Sequence, residues 1–276
     1  MKRLVLVWMW LLCGMAGPCK LPEPYYDDNT GLTGVRTEEG SLAGKWGAVL
    51  EWATIVRLPV LGDRNAGSRG YRLFTRTWDD GAKVYHDSFT WCANEVFEVE
   101  GTASSFTREQ MERLRPTPFD LNVDHDTGHA VSTLIVNNWG VALPDPVNTP
   151  LPTKDNYQQS PESTFILDED GDGNPGVTAH MCCSITADAF VLSRAVFTLD
   201  GTVVAQDRIR GLGRGQKSEQ HTVDGTNRLV VGESNTRYDP DPKASWFDMV
   251  KLGDNATCDD VLAARDSGQL AARRPF

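Results

Sequence analysis

Long apolar runs, an excess of basic charge and the short signatures of the large enzyme classes are all missing from this 276-residue sequence. Its main apolar run, Leu4 to Leu12, falls short of the roughly 20 residues that a helix needs to cross a bilayer, which excludes a polytopic membrane protein. Lys and Arg number 27 against 38 Asp and Glu, and a net charge of −11 excludes general binding to phosphate backbones, which relies on basic patches. There is no Gly-x-Ser-x-Gly elbow, no P-loop and no dinucleotide fingerprint. A secreted hydrolase assembled from distant Ser, His and Asp residues is the enzymatic alternative that these absences leave. Only five histidines are present. His125 and His129 are separated by Asp126-Thr127-Gly128, a turn rather than the helix on which zinc hydrolases place two histidines. His86 and Asp87 are adjacent, and a strand would send them to opposite faces.

What is present begins with an export signal over residues 1–18: Lys2 and Arg3, the apolar run, then Gly14 and Ala16 placed for cleavage after Ala16. Residues 19–43 read as a polar tether. Cleavage leaves Cys19, Cys92, Cys182, Cys183 and Cys258, an odd number for an oxidising compartment. Cys19 is placed as the lipid-bearing residue of a bacterial lipoprotein would be, although Pro18 stands where a small residue is expected; the alternative is plain secretion. Membrane contact is expected only through the signal or such an anchor. The other four cysteines are disulfide candidates with three possible connectivities.

From residue 44 to 276 the pattern is that of one domain with period-two alternation. Trp46, Ala48, Leu50, Trp52, Thr54 and Val56 share one face of a long first strand. Residues 62–70 read as a turn, followed by strands 71–78 and 82–92 around Asp79-Asp80-Gly81 and a further alternating stretch at 94–100, four strands by Gly101. Thr107 with Gln110 forms a capping box for a helix over 108–114. A second hairpin turns at Asp126-Thr127-Gly128 and returns along 130–141. The Pro-rich segment 144–161 is a surface loop and a possible internal boundary. Five more strands are expected at 176–185, 190–199, 202–209, 228–233 and 246–252, with turns at Asp200-Gly201 and Asp224-Gly225, then a helix over 258–265 capped by Thr257 and stopped at Gly268. The fold expected is all-β: an antiparallel barrel of about 8–10 strands, or a two-sheet sandwich, because an open sheet leaves edges exposed.

Asp168-Glu169-Asp170-Gly171-Asp172-Gly173 carries the chemistry most plainly. Alternate carboxylates in a Gly-assisted turn converge on one point, as Ca²⁺ requires, and Asn174, or Asp155 and Glu162 from the preceding loop, can supplement Asp168, Asp170 and Asp172. Position 12 of an EF-hand loop falls on Ala179, so the alternative is a solvated acidic turn. On an ideal strand His180 and Cys182 point away from Met181 and Cys183; with His86 or Cys92 the first pair could begin a Zn²⁺ or Cu⁺ site, in competition with disulfide formation. Trp46, Trp52, Trp78, Trp91 and Trp139 either fill a core or line a cavity for a small apolar ligand.

Gly44-Lys45-Trp46 at the start of the first strand is similar to the Gly-x-Trp opening of lipocalins, which implies a ligand-binding barrel. The chain as a whole resembles a group of uncharacterised envelope proteins and lipoproteins from myxobacteria and their relatives. In these an export signal, the Gly-x-Trp strand, an Asp-Gly-Asp-Gly-x-Pro-Gly loop and an aromatic strand, here Ser245-Trp246-Phe247-Asp248-Met249-Val250, occur in this order. The resemblance implies no activity. The expected function is thus an exported, non-enzymatic envelope barrel for a small apolar ligand; the alternative is a Ca²⁺-stabilised structural or adhesive surface protein.

Overall fold

The computed structural model describes residues 31–58 and 62–270. The segment expected to be an export signal, Cys19 and residues 20–30 of the expected tether lie outside them. Three long strands open the fold: β1 (Gly44–Leu58), β2 (Gly62–Asp79) and β3 (Val84–Val96), paired antiparallel in sequence. The turn-rich reading of residues 62–70 is therefore corrected, and three strands rather than four precede Gly101. Glycines in a strand interior mark close approach. A Cβ on Gly67 would lie 2.4 Å from the Trp52 carbonyl oxygen, and one on Gly70 would lie 2.5 Å from the Trp91 ring. These positions need small residues because the neighbouring backbone and the Phe97 ring crowd Gly67 and the Trp91 ring crowds Gly70.

One irregularity sits between Tyr71 and Arg72, where β3 contributes an extra residue: Tyr71 pairs with Ala93, but Arg72 pairs with Trp91. The extra residue is Cys92. The bulge turns it to the outer face with Tyr71, where it bonds Cys258.

The remaining strands are β4 (Thr102–Ser105), β5 (Thr117–Val123), β6 (His129–Ser132), β7 (Ile135–Trp139), β8 (Val177–Cys183), β9 (Ala187–Ala205), β10 (Arg208–Gly225), β11 (Gly232–Tyr238) and β12 (Trp246–Lys251). The helices are α1 (Arg108–Arg113), with the expected capping box, and α2 (Cys258–Asp266), with the expected Thr257 at its N-cap and the Thr257 backbone N–H donating to Asp260. The sheet closes on itself, so the barrel is correct and the sandwich is not. Around one end, eight strands pair in a ring: β1, β2, β3, β5, β6, β9, β10 and β12. At the other end the same five long strands close through β4, β8 and β11 instead. Closure leaves no edge among the long strands.

Two turn assignments change. Asp200-Gly201 lies inside β9, and a Cβ on Gly201 would meet Phe247 at 2.6 Å. The chain reverses at Gln206-Asp207 instead, and β10 runs 18 residues to Asp224-Gly225. Residues 228–233 are a short 3-10 turn leading into β11. The strand expected over 130–141 is two strands broken at Thr133-Leu134. The Pro-rich segment is irregular, but its Leu151, with Leu143 just before it, packs against Leu192 and Val223, and Arg194 donates to the carbonyls of Val147 and Thr149. It covers one outer face of β9 and β10. The opposite outer face, around Val49, Tyr71 and Leu212, lies under Val261 and Ala264 of α2.

Candidate functional site

Inward positions of β1, β2 and β3 place Trp46, Ala48, Leu50 and Trp52 beside Phe74, Phe89 and Trp91 in one buried cluster. The five tryptophans divide. Trp46 donates its indole N–H to the Leu42 carbonyl at 2.8 Å, and Trp78 packs at a tilt against Tyr85 with centroids 4.7 Å apart, so both belong to the end plugged by the segment before β1. Trp91 and Trp139 meet edge to face at 5.0 Å, while Trp52 packs on Phe197 at 4.6 Å and on Tyr238 at 5.3 Å. A Cβ on Gly213 would overlap Trp52 at 2.5 Å, and one on Gly215 would overlap the Tyr238 ring at 2.2 Å. Alternate glycines of β10 thus form the floor under these two rings.

Arginines lie among these rings. Arg76 pairs with Asp87 at 2.8 Å and faces the Trp46 ring at 5.0 Å, both charged side chains being fully buried. A small cavity of about 10 Å³ lies beside this pair against Phe119, Leu121 and Met249. That is room for about one water, so this level of the barrel is filled. On the outer face Arg69 pairs with Glu51 at 3.0 Å, again fully buried.

Arg72 differs. It is 2% exposed, and its guanidinium carbon lies 3.9 Å from the Trp91 ring centre and 4.8 Å from that of Phe89. Its Nε and Nη1 have no hydrogen-bond partner among the described residues, and neither do the indole nitrogens of Trp91 and Trp139. Burial pulls the Arg72 pKa down to about 9, which leaves it cationic at neutral pH. Burial pushes the Tyr238 hydroxyl up despite the opposing pull of Arg72, so this phenol stays neutral and does not balance the charge. Sequence reasoning missed Arg72, Tyr238 and the β10 glycines. The signals were there: a cation at an inward position between Gly70 and Phe74, and glycine at every second residue from 211 to 215.

The acidic turn forms as expected. Asp168, Asp170 and Asp172 bring carboxylate oxygens within 4.8 Å of one another. Two oxygens on opposite sides of a Ca²⁺ at about 2.4 Å each would stand this far apart. Asp168 accepts from the backbone N–H groups of Asp172 and Gly173, and Asp172 accepts from that of Asn174 and from the Thr178 hydroxyl. Asp170 is buried, its Oδ2 accepting from the Thr178 N–H at 2.8 Å and the Gln110 amide at 3.1 Å. Its Oδ1 is buried with no partner among the described residues. Burial pushes the Asp170 carboxyl up, and the charges of Asp172 and Asp168 add to the shift. The cluster does not include Asp155, which pairs with Lys154, or Glu162. Glu169 instead ties the turn to Arg115.

The His180-Met181-Cys182-Cys183 segment departs from ideal alternation. Cys183 has φ +82°, and the two exposed sulfurs lie 2.6 Å apart instead of on opposite faces. His180 pairs with Asp188, His86 with Asp120, and Cys92 is consumed by Cys258, so the Zn²⁺ or Cu⁺ set proposed from sequence does not assemble. His86 and Asp87 do point apart, and His129 meets Asp200 at a hairpin end.

No family model matches this chain, and no curated protein does. Among solved structures it is similar to DynF from the dynemicin biosynthesis pathway of Micromonospora chersina. The identity is 9%, the alignment covers 81% of this chain and 90% of that one, and the TM-score is 0.35.

Proposed function

We propose that this protein is an exported envelope barrel that holds one small, largely apolar ligand. The observation that supports this most is the set of buried N–H donors without partners at Arg72, Trp91 and Trp139, inside a wall of aromatic rings. A buried unsatisfied donor costs about 1–3 kcal/mol, more when charged, so a site that keeps several of them calls for a functional cause. Trp52, Trp91 and Trp139 are its wall. Trp46 and Trp78 are assigned to structure. One experiment addresses ligand and export together: native mass spectrometry of protein recovered from the producing cell's envelope and medium. The expected spectrum shows a small organic adduct on a chain that begins at Gly17 after cleavage, or at a lipid-modified Cys19. Apo-protein beginning at Met1 contradicts both parts.

A second element of the reading is Ca²⁺ at Asp168, Asp170 and Asp172, supported by the orphaned Oδ1 of Asp170 and with Asn174 beside the cluster. An ion there would bind α1 and the start of β8 to one turn, since Gln110 and Thr178 both grip Asp170. It would also relieve repulsion among three carboxylates crowded into five residues. Because only the folded chain presents this site, Ca²⁺ at 100 times its Kd adds about 2.7 kcal/mol, a Tm rise of roughly 5–11 °C. Mg²⁺ should give less, since it demands shorter bonds and sheds water reluctantly. Differential scanning calorimetry of chelator-treated protein with 5 mM of either ion, roughly the range that weak extracellular sites need, checks this. An unchanged Tm returns the segment to a solvated acidic turn.

A further inference from the structure

We infer that the barrel ligand carries a single carboxylate, which docks on Arg72 while its apolar body lies against Trp52, Phe89, Trp91 and Tyr238. This names the ligand class of the site proposed above and so rests on that reading. Four arginines are buried among the described residues, and three have acidic partners: Arg69 with Glu51, Arg76 with Asp87, Arg194 with Glu219. Arg72 has aromatic faces only. Two such faces return only part of the cost of taking an ion out of water. A scarcity of acids does not explain the gap, because the chain has 38 of them and a net charge of −11.

The charge count fixes the ligand's valence. Asp87 neutralises Arg76, the next inward cation along β2, so one positive charge is left and a monoanion balances it where a phosphate dianion would not. The unpartnered donors are all N–H groups: Nε and Nη1 of Arg72, with the indoles of Trp91 and Trp139 nearby. Such a set donates to oxygen lone pairs and offers no acceptor to an ammonium group. Tyr238 is partly buried on β11, the seven-residue strand that closes this end through three backbone pairings to β10 and four to β1.

The test uses dodecanoate and dodecanol, probes that differ in the head group, on the mature protein followed by tryptophan fluorescence. Dodecanoate should bind saturably and at least tenfold more tightly than dodecanol. Arg72→Met should reduce that ratio to about one while dodecanol binding persists. It should also raise the ligand-free Tm by about 2 °C or more, because an uncompensated buried charge is replaced by an apolar chain of similar length. A merely structural arginine would give the opposite Tm shift. If neither probe binds, the ligand-binding reading itself fails. If both bind equally to the wild-type protein, the barrel holds ligands but Arg72 does not select carboxylates. A preference that survives Arg72→Met places the carboxylate elsewhere and overturns the inference. Should that variant not fold, the wild-type ratio decides alone, with tenfold supporting the assignment and equality refuting it.

Discussion

Replacing Asp87 with alanine should destabilise the protein by about 3–5 kcal/mol, and lower Tm by roughly 6–20 °C, through the loss of one buried carboxylate. Arg76 donates from Nε and Nη2 to both Asp87 oxygens at 2.8–3.1 Å, and neither side chain reaches solvent. Removing the acid strands the guanidinium among Trp46, Tyr85 and Met249, where no other carboxylate pairs with it among the described residues. The intact pair is not a large net gain. Burial pushes the Asp87 carboxyl above its usual range against the pull of Arg76. Its folded value thus exceeds its unfolded one, and its contribution to stability falls as pH rises through the interval between them. Asp87→Leu combined with Arg76→Met should therefore restore most of the stability lost in Asp87→Ala. Urea unfolding of the single and double variants measures this. A single variant within 1 kcal/mol of the wild type would show that the pair carries little, and an additive double variant would deny the coupling.

The second large effect concerns the Cys92–Cys258 bridge, which joins residues 166 apart in sequence. Chain-entropy arguments assign such a loop about 5 kcal/mol, and native disulfides removed from small exported domains cost about 2–5 kcal/mol. The bridge fastens α2 over the bulge in β3, where Val261 and Ala264 cover Val49 and Tyr71. Replacing both cysteines with alanine should lower Tm by roughly 4–20 °C. Amide exchange should accelerate first in α2, whose other ties include the apolar contact of Val261 and Ala264, the pairing of Asp259 with Arg108 at 2.6 Å, and Arg265, which lies over the Tyr71 ring and 3.8 Å from Glu95. Non-reducing peptide mapping should recover peptides 92 and 258 as one species. Finding both thiols free in protein folded under oxidising conditions would contradict the bridge. Uniform exchange across the chain would show that α2 does not act as the clasp.

Local regularities settled much of this architecture from the sequence by itself. Alternation assigned Trp46, Ala48, Leu50 and Trp52 to one face of β1, and a Thr107-to-Gln110 spacing located α1, because both signals arise within a few residues of chain. The acidic turn was equally legible, since Asp168, Asp170 and Asp172 converge through their own backbone. What tertiary structure decided was everything that depends on distant strands. Residues 62–70 have the composition of a turn, yet the Trp52 carbonyl and the Phe97 and Trp91 rings occupy the space that side chains at Gly67 and Gly70 would need. Asp200-Gly201 has the composition of a hairpin turn, yet β10 and β6 pair on either side of it and hold it extended. A bulge of one residue sent Cys92 outward, and that choice of face selected Cys258 as its partner from among three connectivities. The same physics separates Arg76 from Arg72. Both are inward cations on one strand, four residues apart, and only the register of β3 determines that the first meets Asp87 while the second meets Phe89 and Trp91.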